Sequence, residues 1–492
     1  MKLDMKILLI LFFIIYYCTA TTILDQINDD HYLFVKKLNQ LPNSEIKKIC
    51  DDMERSLFNP YRCVNNTDTT NPHLFDGLSV EEYTKLLLFK NRDKKSPFTL
   101  NFNNNLKGDK RSTLQNLKPV ILVPGIAGSG LEAKLHKETS PSWYCWKNSN
   151  WFRLWLNLAE IAVQKCFFDN LDLVYQPNGT FTNAPGVDIR PMDFGGVKGV
   201  AYLDYITSFP ITLTDVFGSM IKFFKTLGYK EGQNIRGAPY DFRLGVDSLQ
   251  ENGWMGDFQE LIEQTYSMNG NQRVNVISHS MGGLVTLYFL NSMTYEWKEK
   301  YIEAFIPIAV PWGGAAKALR ALTSGDTFGI PLISVERMKS LAQSSSGLLQ
   351  LTPDDLIFDP DHVFIYTPTE NYTISNLQLL FDNLGLSYIN DNMYSSVING
   401  MVPNVTTHCL YGYGVKTEIA YNYPNGLNGK PQIIDSNYGD GTVPLESLKY
   451  CATFQSSQLQ PVTIEEFNLA EHVGIIQSKQ VFESLYQILS NQ

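Results

Sequence analysis

Residues 275 to 285 read NVISHSMGGLV, and no other stretch constrains the fold of this chain so tightly. Val274 to Ile277, apolar apart from Asn275, reads as a short buried strand. From Gly282 to Asn291 a second apolar run has the length and composition of a helix. Ser280 stands between them with small residues two positions away on each side, Ser278 and Gly282. A strand that turns sharply into a helix crowds those two flanking positions, so only small side chains fit there. The segment therefore has the form of a G-x-S-x-G elbow, which presents a serine hydroxyl at the end of a buried strand. Gly282 obeys the pattern and Ser278 departs from it.

The surrounding chain supplies the sheet that such an elbow needs. Val120 to Val123 is another buried-strand run, ending in Pro124-Gly125 and a glycine-rich loop. Trp254, Phe258, Leu261, Ile262, Thr265 and Tyr266 share one helical face. Phe305 to Val310, Leu410 to Tyr413, Gln432 to Ile434 and Val462 to Phe467 are further predicted strands, and a last helix is expected from about Ile475 to Leu489. Alternating strands and helices predict an α/β fold with a mainly parallel sheet covered on both faces.

A serine at this turn needs a base and an acid, which follow it in the order acid, then histidine. Of seven histidines, only His362, His408 and His472 lie beyond the elbow. His472, in NLAEHVGII, falls between a predicted strand and the last helix, where a base on a late loop is expected. Asp440, in IIDSNYGDGTVP, sits in a glycine-flanked loop. Asp435 is the competing acid and abuts the strand. Ser280, Asp440 and His472 are thus the expected triad. The backbone N–H groups of Met281 and Ile126 are the expected donors to an oxyanion formed at an acyl carbonyl.

Charge and composition exclude other classes. The net charge is −10 over 492 residues, and no block of like charges reaches five residues, so nucleic acid is not an expected partner. No cysteine–histidine cluster has metal-ligand spacing and there is no phosphate loop, so neither a metal nor a nucleotide cofactor is expected. Lys2 and Lys6 precede an apolar run from Ile7 to Tyr17 and the small residues Thr19 and Ala20. This predicts a signal peptide over residues 1–20 and an address in the secretory pathway, secreted or lysosomal; an uncleaved anchor is the alternative. Beyond Cys18 six cysteines remain, and sequence proximity pairs them as Cys50–Cys63, Cys145–Cys166 and Cys409–Cys451. Asn65, Asn178, Asn371 and Asn404 head N-x-[ST] glycosylation signals. Residues 21–112 form an accessory segment, with a capping box at Ser79–Glu82 and an Asn-rich stretch before residue 112. A catalytic domain is expected over residues 113–492.

Many ordered blocks of this domain resemble the family of lecithin:cholesterol acyltransferase and lysosomal phospholipase A2. They include ILVPGIAGSGLEAKL, FRLWLNL, NAPGVDIR, GAPYDFR, SHSMGGL, VPWGG, DHVFIYTPTENYT, CLYGYG, YGDGTVP and EHVGII. The resemblance runs from about residue 118 to the C-terminus. It implies an α/β-hydrolase fold with a membrane-binding subdomain (about 140–185) and a cap with a lid (about 313–405). It also implies the same triad and oxyanion donors, with disulfides at Cys145–Cys166 and Cys409–Cys451. Ile126 stands where the acyltransferase and phospholipase branches differ and matches neither.

Within residues 143–168 the chain holds Trp143, Trp146, Trp151 and Trp155 together with Phe152, Phe167 and Phe168. Tryptophan suits a surface that is apolar on one edge and wet on the other, so the four are expected to contact lipid; the family resemblance implies that Trp155 lines the acyl site. Inward packing of the same cluster is the competing reading. The expected activity is that of a serine phospholipase or acyltransferase. It works on glycerophospholipid at a membrane or lipoprotein surface, with water or a lipid alcohol as acyl acceptor. A sterol O-acyltransferase, a catalytically silent lipid-binding protein and a peptidase are the alternatives. An intact triad argues against the silent protein, and the tryptophan-rich loop against the peptidase.

Overall fold

The structure is a computed structural model and describes residues 117–490 apart from 162, 177–179, 204–214, 329–332, 390–397, 428 and 437. The expected signal peptide, accessory segment, Cys50–Cys63 pair, Asn65 and Asn178 lie outside the described residues. In chain order the strands begin with β1 (Val120–Val123), β2 (Leu131–Leu135), β3 (Phe152–Trp155), β4 (Leu173–Tyr175), β5 (Phe181–Asn183), β6 (Val187–Pro191) and β7 (Ile235–Gly237). They continue with β8 (Val274–His279), β9 (Ile302–Ile308), β10 (Val363–Tyr366), β11 (Asn371–Thr373), β12 (Thr407–Tyr413), β13 (Thr417–Asn422), β14 (Gln432–Ser436) and β15 (Val462–Asn468).

Six of them form the central sheet in the order β15-β12-β9-β8-β1-β7. Every pairing in it is parallel. Parallel strands need helical crossovers that cover both faces, which is why β1 reads as an unbroken apolar run and why β1 and β8 are both buried along their whole length, β8 with Asn275, Ser278 and His279 included. The helix Trp254–Met268 buries Trp254, Met255, Phe258, Leu261, Ile262 and Thr265, the face expected from their spacing. The last helix, Lys479–Ser490, follows a short 3₁₀ turn at Gly474–Gln477 and buries Val481, Phe482, Leu485, Ile488 and Leu489. Phe482 stacks on Phe223 with ring centroids 4.9 Å apart, fixing that helix against Gly218–Thr226. The fold is the expected α/β hydrolase, and the loops at the carboxyl ends of its strands converge as open α/β sheets require.

Two excursions leave this sheet. Between β1 and β7, strands β3-β2-β6 form an antiparallel sheet beside the β4–β5 hairpin. The Cys145–Cys166 disulfide ties the tryptophan-rich loop to the helix Gln164–Leu171, closing a loop of 21 residues. A closure of that length stabilises a fold by about 3 kcal/mol in the chain-entropy view. The excursion is wider than residues 140–185, because β2 and β6 belong to it. Between β9 and β12 come the helices Ala316–Thr323 and Val335–Ser344 and strands β10 and β11. Those strands join β13 and β14 in a second sheet, β11-β10-β13-β14. Gln432 to Ile434, expected in the main sheet, therefore lies in this second one. Ile433 and Ile434 are exposed at its edge.

One covalent expectation is corrected. Cys409 in β12 and Cys451 come together in the core but are free thiols. Burial, with Cys451 hydrogen-bonded beside it, pushes the Cys409 thiol well up.

Candidate active site

Strand β8 ends at His279 and the helix Met281–Ser292 starts two residues later, which leaves Ser280 alone in the turn. Its backbone has φ 53° and ψ −130°, a conformation that strains a residue with a side chain by about 1–3 kcal/mol. Ser280 N–H donates to Ile308 O at 3.0 Å, so the neighbouring strand holds the turn. At Gly282 a Cβ would lie 2.3 Å from Pro124 O, which is why this position needs glycine. Ser278, the departure from the motif, has room for its hydroxyl. Thr286 Oγ1 donates to Gly282 O at 2.7 Å, so the 2.7 Å contact between Ser278 and Thr286 is a donation from Ser278.

The three expected side chains meet. His472 Nε2 lies 3.0 Å from Ser280 Oγ, and His472 Nδ1 lies 2.7 Å from Asp440 Oδ2. Because a carboxylate only accepts, Nδ1 carries the proton and Nε2 offers its lone pair to the serine hydroxyl. Asp440 Oδ1 accepts from Thr442 N at 3.0 Å and Val443 N at 2.8 Å, which fixes the carboxylate plane. All three residues are buried, with Asp440 only 1% exposed. Asp435, the competing acid, forms an ion pair with Lys416 at 2.9 Å on the second sheet instead.

The two expected oxyanion donors lie on segments next to Ser280. Met281 is the first residue of its helix, and first-turn N–H groups have no helical acceptor. Ile126 follows Gly125, whose backbone approaches so closely that a Cβ there would lie 2.8 Å from Ser280 Cβ. The glycine-rich loop is pinned from outside by Trp155, whose Nε1–H donates to Ala127 O at 2.9 Å. Ala127 has φ 59°, which it adopts without being glycine, so this loop is held and not relaxed.

The four tryptophans separate. Trp143 is 50% exposed, whereas Trp146 is half-buried against Phe152 at 5.9 Å. Trp151 is half-buried beneath the Arg190 guanidinium, 4.1 Å above its ring. Trp155, expected to contact lipid and to line the acyl site, is in the core at 1% exposure and so is not at the surface; it stacks on Phe167 and lies tilted against Phe242. Sequence composition groups the four because it carries no facing information.

Sequence reasoning also missed Arg243. This fully buried guanidinium donates from Nε to Asp241 Oδ1 at 2.8 Å and from Nη1 to Leu171 O at 2.7 Å. Its Nη2 donates to Asn183 Oδ1 at 2.7 Å. Its own carbonyl accepts from Ser345 Oγ and Gly347 N, both at 3.0 Å. It thereby joins the first excursion to the second, next to Met281, whose side chain touches the Gly347 position. An arginine inside GAPYDFR, two residues after an aspartate, is the signal that pointed there.

A parallel sheet carrying a serine on a strained strand-to-helix turn, with an imidazole and a carboxylate on later strand-end loops, defines an α/β-hydrolase enzyme. Residues 151–402 and 388–479 match the family model described as lecithin:cholesterol acyltransferase. The chain is 36% identical over 383 residues to the lysosomal phospholipase A and acyltransferase of Rattus norvegicus, covering 76% of this chain and 91% of that protein. It is 36% identical to the Homo sapiens protein of the same name, over 75% of this chain and 90% of that one. It is also 36% identical to the phosphatidylcholine-sterol acyltransferase of Gallus gallus, over 73% and 87%. The chain belongs to the lecithin:cholesterol acyltransferase family.

Proposed function

We propose that this protein is a serine phospholipase A and acyltransferase, with Ser280 as nucleophile, His472 as general base and acid, and Asp440 as the group that orients His472. The observation that carries the reading is the continuous hydrogen-bond line from Asp440 through His472 to Ser280, at 2.7 and 3.0 Å. His472 Nε2 takes the hydroxyl proton as Ser280 Oγ attacks an ester carbonyl of a glycerophospholipid. Ile126 and Met281 N–H receive the oxyanion, each donor being worth about 3–4 kcal/mol in the transition state. The intermediate collapses as His472 returns the proton to the departing glycerol oxygen, leaving an acyl ester on Ser280 and a lysophospholipid. Water or a lipid alcohol, deprotonated by the same imidazole, then takes the acyl group. An alcohol competes against water at about 55 M, roughly 2.4 kcal/mol, so transfer requires a dry site or an oriented acceptor.

The relatives named above support both halves of this reading. Exposed Trp143 on the disulfide-tied loop supports docking at a phospholipid or lipoprotein surface. Among the described residues no helix is long and apolar enough to cross a membrane. The leader pattern at residues 1–20 supports a lumenal or secreted address. Of the glycosylation signals, Asn371 is exposed on β11. Asn404 is half-buried and donates through Nδ2 to Val402 O at 3.3 Å, so Asn371 is the better acceptor.

The deciding experiment incubates the protein with phosphatidylcholine vesicles containing a sterol or a ceramide, at pH 5 and pH 7, and identifies the products. Free fatty acid with lysolipid marks hydrolysis, and an acylated sterol or ceramide marks transfer. Ser280→Ala abolishes both while vesicle binding persists. Turnover near wild type in that variant removes Ser280 as the nucleophile.

A further inference from the structure

His279, the residue before the proposed nucleophile, is nearly fully buried. Its Nε2 lies 2.8 Å from the main-chain oxygen of His472, 193 residues away in sequence. A carbonyl only accepts, so Nε2 of His279 carries the proton. Nδ1 then has none and faces Gly125, where a Cβ would come within 3.3 Å of it. The two imidazole rings lie 5.0 Å apart at 44°.

We infer that His279 is a positioning residue for the general base: its Nε2–H grips the carbonyl of His472 and holds that imidazole in reach of Ser280. The inference rests on the assignment of Ser280 and His472 above. Two anchors then fix the loop that carries His472. Asp440 O accepts from His472 N at 2.8 Å, and His279 donates to the carbonyl of the same residue. The N–H and the carbonyl of His472 are thereby tied to two different elements, the acid loop on one side and the elbow on the other. A base misplaced by about 1 Å loses up to about 100-fold in rate, so such a double anchor bears directly on turnover.

The chemistry explains why the donor is a histidine. Lysine or arginine also donates, but would place a permanent cation beside the imidazolium that His472 becomes during turnover. The groups facing His279 are Ser280 on its own element, Gly125 from the loop after β1, and His472 from the loop after β15. Burial, and then the neighbouring His472, push His279 down to about 3, so it stays a neutral donor through the acidic range. Nε2 is occupied as a donor, and the unprotonated Nδ1 faces Gly125.

The test uses the full chain with Ser280→Ala, His279→Leu and His279→Gln, a soluble short-chain ester from pH 4 to 8, covalent labelling by a fluorophosphonate, and thermal unfolding. His279→Leu keeps an apolar body without the donor. Its kcat is expected to fall about 30-fold with KM within about threefold, and labelling of Ser280 slows in parallel. Glutamine carries an N–H at about the reach of Nε2, and His279→Gln is expected to recover to within about fivefold of wild type. The acidic limb of its pH profile stays in place, because the residue removed does not titrate there. A kcat within threefold of wild type in His279→Leu overturns the inference. So does equal damage in the leucine and glutamine variants with equal loss of thermal stability, or a displaced acidic limb in His279→Gln. Should His279→Leu fail to fold, His279→Asn takes its place. Its N–H falls one bond short, so it is expected to lose activity where glutamine keeps it, and equal rates in the two overturn the inference. Residual turnover in Ser280→Ala removes the underlying assignment, whereas a dead Ser280→Ala beside a fully active His279→Leu removes this inference alone.

Discussion

Asp440 and His472 are joined twice, by main chain and by side chain: His472 N donates to Asp440 O at 2.8 Å, and His472 Nδ1 donates to Asp440 Oδ2 at 2.7 Å. The first bond sets where the loop sits and the second sets which imidazole nitrogen is protonated. These functions are separable by mutation. Asp440→Asn keeps the backbone bond and retains an oxygen to accept from Thr442 and Val443 N–H. It then presents an amide donor to Nδ1, forcing the proton to Nε2, where it blocks acceptance from Ser280. We expect kcat to fall by about 10⁴ with the fold intact, the loss seen for this kind of tautomer change. The check is steady-state kinetics on a soluble ester beside a circular dichroism melt. A kcat within tenfold of wild type would sink the assignment of Asp440.

Trp155 acts through the loop after β1. Its indole N–H is the outer anchor of Ala127 O, one residue beyond the proposed Ile126 donor. Trp155→Phe keeps a ring between Phe167 and Phe242 but leaves that carbonyl unpaired. The left-handed backbone of Ala127 then relaxes, and kcat on a short-chain ester is expected to drop about tenfold with KM little changed. If only KM rises, the ring serves substrate binding and the oxyanion loop does not depend on it. Trp155→Ala is a different experiment, because removing a fully buried indole costs about 3–5 kcal/mol of stability.

The hydrolase fold and the three polar groups were legible for a common reason: strand-end loops in a parallel sheet impose an order on residues that are far apart in sequence. An elbow with a glycine two residues after the serine, a later acid and a later histidine can be found by reading along the chain. The packing partners cannot. Nothing linear links His279 to residue 472 or Trp155 to residue 127, and these contacts arise only when loops close over the sheet. The IIDS strand shows the same limit, since a short apolar run looks alike in a buried central sheet and at the exposed edge of a second one. Asp435 therefore competed with Asp440 until its ion pair with Lys416 removed it. The cysteines show a third limit, because sequence proximity predicts which thiols meet and says nothing about whether they are oxidised.

Trp143 and Trp146 belong to one loop but differ in burial, which makes them a matched pair. Trp143 is half exposed with an edge contact to Tyr144, so Trp143→Ala removes little packing. Partition onto phosphatidylcholine vesicles is expected to weaken about threefold to tenfold, while kinetics on a soluble ester hold within about twofold. Trp146→Ala opens a gap against Phe152 and is expected to lower thermal stability before it affects vesicle binding. Sedimentation with vesicles and a thermal melt separate the two. Equal loss of vesicle binding and of soluble-ester activity in Trp143→Ala would mean that its role is packing.

Asp172 ends the helix Gln164–Leu171, and its Oδ1 is buried with no hydrogen-bond partner. Burial pushes its carboxyl up to about 6 from the ordinary 3.8, against the pull of Arg337 and Arg243 and with a small push from Asp169. In the unfolded chain the group titrates near its ordinary value, so between about pH 4 and pH 6 the folded state binds more protons than the unfolded state. The contribution of Asp172 to stability is therefore complete below the ordinary value and is lost as pH rises through about 6. Glu160, pushed up to about 7 by burial, acts in the same sense. Asp172→Asn imitates the protonated carboxyl at every pH. Its melting temperature is expected to exceed wild type at pH 7.5 and to match it near pH 4, so that the pH profile of stability between those points flattens. An equal gain at both pH values, or a loss at pH 7.5, would show that attraction to Arg337 and Arg243 outweighs burial. The flattened profile would mark a chain whose first excursion holds best in an acidic compartment, the setting in which the neutral His279 still donates.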